Sequence, residues 1–163
     1  MSVTSSHIRP LRPADREPIG VLLAKTGVFT EEEVAIALEL VDAVLGRPDQ
    51  KDYHVAVYDE GGVVRGYYCI GPTPATQGTY DLYWIAVDRA AQGRGIGGTL
   101  EEHACASVRA MGGRLLVAET SSQETYGSTR AFYRAHGYEE GARIRDYYRI
   151  GDDLVVYCKT LTR

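Results

Sequence analysis

The stretch that decides the fold is Leu82-Tyr83-Trp84-Ile85-Ala86-Val87, Asp88-Arg89-Ala90-Ala91-Gln92, then Gly93-Arg94-Gly95-Ile96-Gly97-Gly98-Thr99. Six residues rich in aromatic and branched side chains predict a buried strand. A short polar connection follows, then a glycine-rich turn that opens a helix. The first N–H groups of a helix have no partner inside it. Together with the positive end of the helix dipole they attract anions such as phosphate. Glycine lets a backbone approach such an anion and adopt positive φ, and Arg94 adds a cation to the turn. The junction therefore predicts a phosphate-bearing ligand.

Outward from this junction the pattern is regular. Ile8 to Arg12 reads as a short strand, and Pro13 opens a helix reaching about Lys25. Thr30 followed by Glu33 forms a capping box. Val34, Leu38, Val41 and Leu45 then recur at helical spacing, and Gly46 and Pro48 end that helix. Tyr53 to Tyr58 and Val63 to Ile70 predict two strands around Asp59-Glu60-Gly61-Gly62, and Thr79 to Val87 predicts the next. Ile96, Leu100, Ala104, Val108 and Met111 mark one face of the helix after the glycine turn, which stops at Gly112-Gly113. Leu115 to Thr120 is almost wholly apolar, as a buried parallel strand would be. A short helix over Ser128 to Ala135 ends at Gly137, and strands follow around Tyr138 to Ile144 and Leu154 to Thr160. The order is strand, two helices, three strands, helix, strand, helix, two strands. That is an α/β or α+β layer with a mixed sheet.

Composition narrows the class. A chain of 163 residues is expected to be a single domain over 1–163, long enough for a core. A formal net charge of −4 argues against nucleic acid, which needs a basic face. No apolar run is long enough to span a bilayer. Met1 to His7 is polar and lacks a signal-peptide core. Cys69, Cys105 and Cys158 are widely spaced and odd in number, which suits a reducing cytoplasm. No His, Cys, Asp and Glu cluster has metal spacing, so no metal is expected.

Two ligand families use a strand-to-helix glycine turn. Gly93-x-Gly95-x-x-Gly98 matches the dinucleotide fingerprint, with Glu119 where a ribose ligand would stand. Against that reading, Asp88 to Gln92 separate the strand from the first glycine, and only one further short helix follows Glu119. Gln92-x-x-Gly95-x-Gly97 resembles the pyrophosphate-binding motif of the GNAT superfamily, the acetyl-CoA-dependent N-acetyltransferases. Downstream, Phe132-Tyr133-Arg134-Ala135-His136-Gly137-Tyr138 is similar to the family's Phe-Tyr-x-x-x-Gly-Phe segment. Ile8 to Asp15 resembles its first strand and helix start.

The resemblance implies a GNAT-like mixed, mostly antiparallel sheet of about seven strands, with a central splayed parallel pair and about four flanking helices. It implies acetyl-CoA as cosubstrate, held by the backbone of Ile85, Ala86 and Val87 and by Gln92, Gly93, Arg94, Gly95, Ile96, Gly97, Gly98 and Thr99. Thr129 and Phe132 would add coenzyme contacts. Tyr126 and Thr129 depart from the family, which often carries Asn and Ala there, and a Ser128 or Thr129 hydroxyl would have to substitute. Tyr133 would be the general acid for the leaving thiolate, since a phenol is protonated at neutral pH. Asp81 is the first choice of general base and Glu119 its rival, with water a third option. Arg114 or Arg130 would pair with Glu119 if it were only structural. Phe132 is the expected core residue of its helix, and His136 is expected to be exposed. Tyr80, Tyr83, Trp84, Tyr147 and Tyr148 are candidates to line a pocket for an ammonium.

The expected reaction is acetyl transfer to a primary amine of a small molecule or peptide. Acetylation of a protein N-terminus or lysine, and a non-catalytic acyl-CoA sensor, are the alternatives. The expected setting is cytoplasmic, with no nucleic-acid or membrane partner and with a homodimer left open.

Overall fold

A computed structural model describes residues 5–161. Residues 1–4 of the polar N-terminal stretch lie outside them. Seven strands form one sheet in the order β1-β2-β3-β4-β5-β7-β6. In chain order the elements are β1 Ile8–Pro10, α1 Arg16–Lys25, α2 Glu31–Gly46, β2 His54–Glu60, β3 Val63–Pro72, β4 Thr79–Val87, α3 Ile96–Ala110, β5 Leu115–Ser121, α4 Gly127–Ala135, β6 Glu139–Arg149 and β7 Asp152–Thr160. The mixed sheet and four helices expected from the sequence are present. β1 with β2, β2 with β3, β5 with β7 and β6 with β7 pair antiparallel, whereas β4 with β5 is parallel over Thr79–Asp81 and Leu115–Val117. Contacts divide the described residues into two compact units, one of those up to 71 with 83–106, the other of 72–82 with those from 107 onward.

In the first unit, Ile19, Leu22 and Leu23 of α1 and Ala37 and Val41 of α2 bury against Val55, Val57, Tyr67, Cys69 and Ala86 of the strands. The start of α2 is set locally. Thr30 Oγ1 accepts from the Glu33 N–H at 3.2 Å, and Glu33 Oε1 accepts from the Thr30 N–H at 3.3 Å. Before α1, Pro13–Asp15 forms a 3₁₀ turn rather than helix. Its Asp15 is buried yet charged, because Arg9 donates two hydrogen bonds to it at 2.7 and 2.9 Å and the Arg12 N–H a third at 2.7 Å. A smaller cluster joins Tyr58, Ile96 and Leu100 with Ile8, Ile85 and Val87. The β2–β3 turn is tighter than the sequence suggested. Asp59 and Glu60 stay in β2 through a register shift, leaving Gly61-Gly62 as the turn.

In the second unit, β5 pairs with β7 from Leu115↔Thr160 to Ser121↔Leu154, and β7 pairs with β6. Gly113 ends α3, and a Cβ there would lie 2.2 Å from Val108 Cγ1 and 2.9 Å from Tyr80 Cδ2, so only glycine fits. β6 runs on to Arg149, past the predicted end at Ile144, and all eleven of its residues are exposed. An exposed edge strand carries no apolar alternation, so periodicity had nothing to register there. Cys69 and Cys105 are buried, Cys158 is half-buried, and all three are free thiols. Among the described residues no helix is long and apolar enough to cross a membrane.

Candidate functional site

The first unit holds the strand-to-helix junction. β4 ends at Val87, a 3₁₀ turn spans Arg89–Ala91, and α3 begins at Ile96. The polar connection is therefore structured. Asp88 Oδ1 accepts from the Ala90 N–H at 3.2 Å, and Ala91 is buried. Gln92 sends its Nε2 back to the Val87 carbonyl at 3.3 Å, fastening the turn to the strand that precedes it. Gly93 and Gly95 have φ of 80° and 84°, and a Cβ at either would meet nothing within 4 Å. They are glycine for backbone conformation and not for close packing.

Gly95 caps α3 through its carbonyl, which accepts from Thr99 N and Thr99 Oγ1, both at 3.1 Å. A Ser or Asp at this cap would place a side-chain oxygen on the helix's free N–H groups. Glycine supplies none, so no side chain at this position fills the first-turn N–H groups of Ile96, Gly97 and Gly98. Gln92 to Gly95 are exposed, and Ile96 is buried as the anchor of the helix. This arrangement fits a phosphate group. Ile85 and Val87 are half-buried and Ala86 is buried.

Arg94 carries a pairing that the sequence did not reveal. Its Nη2 lies 2.5 Å from Glu60 Oε2 and its Nη1 3.3 Å from Glu60 Oε1. The hydrogen bond from Arg94 holds the Glu60 carboxyl below the usual carboxylate range. Arg65 of β3 reaches both Glu60, at 3.5 Å, and Asp88, at 3.1 Å. Lys25, Arg65, Asp88, Arg89 and Ala90 line a recess of about 570 Å³ beside this network. Tyr83 is exposed and meets the Tyr53 ring edge-on at 5.5 Å, whereas Trp84 packs on Phe29 at 5.1 Å among core residues.

His103 and Cys105, two residues apart on α3, have separate partners. His103 Nδ1 lies 2.8 Å from the Tyr68 hydroxyl, and Cys105 donates to buried Glu101 at 2.9 Å. Burial lowers the His103 pKa, so the ring is neutral at pH 7.

The second unit holds the other candidates. Asp81 sits on β4 opposite Val117 of β5, and its Oδ2 accepts from the Thr73 hydroxyl at 2.7 Å. Thr73 stands between Pro72 and Pro74. Its Pro-Thr-Pro setting carries no periodic signal, and the contact bridges eight positions. Glu119 is exposed on β5, opposite Val156. The two cations offered as its partners donate elsewhere, Arg114 to the Gln77 carbonyl and Arg130 to the carbonyls of Ser121 and Gln123.

On α4, Tyr133 is buried and Phe132 only half-buried, which reverses the expected core residue of that helix. The reason is the ring stack: Tyr133 meets Tyr138 at 5.1 Å and Tyr157 at 5.7 Å between centroids. Phe132 instead lies 4.2 Å from the His136 ring. His136 is half-buried and not exposed, with Nδ1 2.8 Å from the Phe132 carbonyl. Burial pushes the Tyr133 phenol well above its ordinary value, so it holds its proton throughout the neutral range. Thr129 is half-buried one turn earlier on the same helix. Tyr147 and Tyr148 are about half exposed on β6, with rings 5.0 Å apart. Among the described residues no three His, Cys, Asp or Glu side chains gather as a metal site would require.

Residues 50–140 match the acetyltransferase (GNAT) domain family. A crystal structure of a protein from Desulfovibrio desulfuricans, assigned to the GNAT family of acetyltransferases, is 42% identical over 95% of this chain and 98% of that one, with a TM-score of 0.92. The ribosomal-protein-S18-alanine N-acetyltransferase of Escherichia coli is 18% identical, covering 96% of this chain and 94% of its own, at TM-score 0.74. An aminoglycoside 6'-N-acetyltransferase solved with coenzyme A is 14% identical, covering 96% and 97%, at TM-score 0.76. At those identities the last two speak for the fold alone. No functionally curated protein matches the chain.

Proposed function

Because this chain belongs to the GNAT family of acetyltransferases, and so is an acyltransferase, we propose that it moves an acetyl group from acetyl-CoA to a primary amine of a small molecule or peptide by direct attack. The proposal covers residues 1–163 as one N-acetyltransferase domain acting in the cytoplasm. The observation that carries it is the glycine turn at the end of β4. There a fifteen-residue helix begins just after a glycine, which has no side chain to cap its first N–H groups. In this reading the backbone from Gln92 to Thr99 holds the coenzyme pyrophosphate. The backbone of Ile85, Ala86 and Val87 aligns the pantetheine arm, and an N–H there polarises the thioester carbonyl, stabilising charge that develops on its oxygen. Thr129 and Phe132 contribute to the coenzyme contacts from α4.

Tyr133 is the proposed general acid. Its raised pKa keeps a proton on the hydroxyl, ready for hydrogen bonding to the departing thiolate. Asp81, oriented by Thr73, is the proposed general base for the amine, with exposed Glu119 as its rival. An acceptor amine on a protein N-terminus or lysine is the second reading. The fold does not decide between the two acceptor types, since an S18-alanine acetyltransferase and an aminoglycoside acetyltransferase both share it.

Acetyl-CoA should raise the melting temperature and nicotinamide dinucleotides should not, because a ligand that binds only the native state adds to apparent stability. Gly95→Ala and Gly97→Ala should each weaken coenzyme binding while leaving the protein folded. A panel of small amines and peptides, read by thiol release, then identifies the acceptor. Stabilisation by the dinucleotide alone overturns the reading. Stabilisation by acetyl-CoA with no transfer to any amine supports the acyl-CoA sensor.

A further inference from the structure

Arg94 stands in the middle of an anion-binding turn, and its guanidinium is already committed to a carboxylate. We propose that Arg94 is a strut and not a phosphate ligand, and that Glu60, at the end of β2, is a positioning residue that fixes the glycine turn in its phosphate-accepting shape. The inference rests on the coenzyme reading given above and deepens it.

Four observations support it. Gly93 and Gly95, on either side of Arg94, have left-handed φ and no neighbours at their Cβ positions, so the turn has little packing of its own to hold it. The Glu60 carboxylate takes both terminal nitrogens of Arg94, a two-point contact that fixes direction as well as distance. Glu60 is the more enclosed partner, its side chain 18% exposed against 35% for Arg94. Finally, Glu60 belongs to a chain of charges, Arg94–Glu60–Arg65–Asp88, whose far end caps the 3₁₀ turn before the glycines. The β2–β3 hairpin therefore holds the junction at both of its ends, Asp88 and Arg94. The Asp88 N–H adds a backbone bond to the Arg65 carbonyl at 2.7 Å.

The alternative role for Arg94 predicts the opposite sign. If its guanidinium bound phosphate, Glu60 would compete with the coenzyme. Removing Glu60 would then free Arg94, delete a negative charge near the anion, and tighten binding. If Arg94 is a strut, removing Glu60 loosens the turn and weakens binding in spite of that gain in field.

The test measures the dissociation constants of coenzyme A and of pantetheine, which lacks the phosphates, for the wild type, Glu60→Ala, Arg94→Ala and the double variant. Each single variant should lose about tenfold in affinity for coenzyme A, and the double variant should lose no more than either, as expected of residues acting through one contact. Pantetheine affinity should not fall in parallel, so the ratio of the two constants shrinks, which a general loss of stability would not produce. Glu60→Gln keeps the shape and an acceptor oxygen, and should fall between wild type and Glu60→Ala. It carries the test if the alanine variant does not fold. Tighter coenzyme binding in Glu60→Ala or Glu60→Gln overturns the proposal, as do additive losses in the double variant. Failure of the wild type to bind coenzyme A overturns the coenzyme reading itself, and this inference with it.

Discussion

The two units hold their candidate residues by different forces. Around the glycine turn the restraints are charges, with Glu60, Arg65, Asp88 and Arg94 linked in series and Arg9 holding Asp15 and Asp59 nearby. Around Tyr133 they are rings, with Tyr138 and Tyr157 stacked on it and Lys159 over the Tyr138 face at 5.4 Å. An ion pair fixes direction and responds to pH and salt. Aromatic packing fixes volume and responds chiefly to loss of atoms. The turn proposed to receive an anion is thus open to solution conditions, and the phenol proposed as the acid is shielded from them.

The largest effect should come from opening the ring stack. Tyr157→Ala removes a buried ring and the hydroxyl that accepts from Arg134 at 2.9 Å. Urea unfolding should show a loss of about 3–5 kcal/mol, nearly independent of salt. Strong salt dependence of that loss would break the contrast drawn above.

Next comes Tyr133→Phe, which keeps the ring and removes the proton. Turnover should fall by roughly 10²-fold where chemistry limits the rate, with coenzyme affinity little changed. Equal losses of turnover and stability would make Tyr133 a packing residue only.

Asp15→Asn tests the charged side. Burial works against the charged form of Asp15, yet hydrogen bonds from Arg9 and Arg12 outweigh it and lower the pKa. A carboxyl whose folded pKa is depressed contributes stability above its unfolded value, 3.8, and loses it as pH falls through the lower folded value. The variant should lose about 2 kcal/mol at neutral pH, the order of a hydrogen bond to a charged group left unmade. Its acid unfolding should be flatter than that of the wild type. An unchanged acid limb would remove this pair from the account.

The smallest effect belongs to His103. Burial lowers its folded pKa below the ordinary 6.5, so the unfolded chain binds the extra proton first. Stability is complete above pH 6.5 and declines as pH falls from there toward the folded value. His103→Gln should flatten that shallow step in a series of melting curves between pH 5 and pH 8, and a step that persists must come from another group.

The sequence disclosed what is local and periodic. The capping box at Thr30, the strand from Thr79 to Val87, the glycine turn and the order of elements were all legible, because each is written in consecutive residues or in a fixed repeat. What escaped it joins distant positions. Glu60 meets Arg94 across 34 positions, and a Glu beside a Gly-Gly turn reads only as turn polarity. Thr73 behind Asp81 was hidden for the same reason. The exchange of Phe132 and Tyr133 was invisible because hydrophobicity ranks phenylalanine first, while the choice of the buried ring is made by Tyr138, just before β6, and by Tyr157 of β7.

The three cysteines have a practical consequence for measuring the reaction. Burial pushes the Cys69 thiol up to about 12 and raises that of Cys158, while Cys105 spends its proton on Glu101. Nucleophilic attack on a chromogenic disulfide reagent needs thiolate within reach of solvent. The folded protein should therefore be nearly silent toward such a reagent, and the colour that develops during turnover would count coenzyme molecules released. The same silence makes the reagent a clock for unfolding, since these sulfurs become reactive when the chain opens around them.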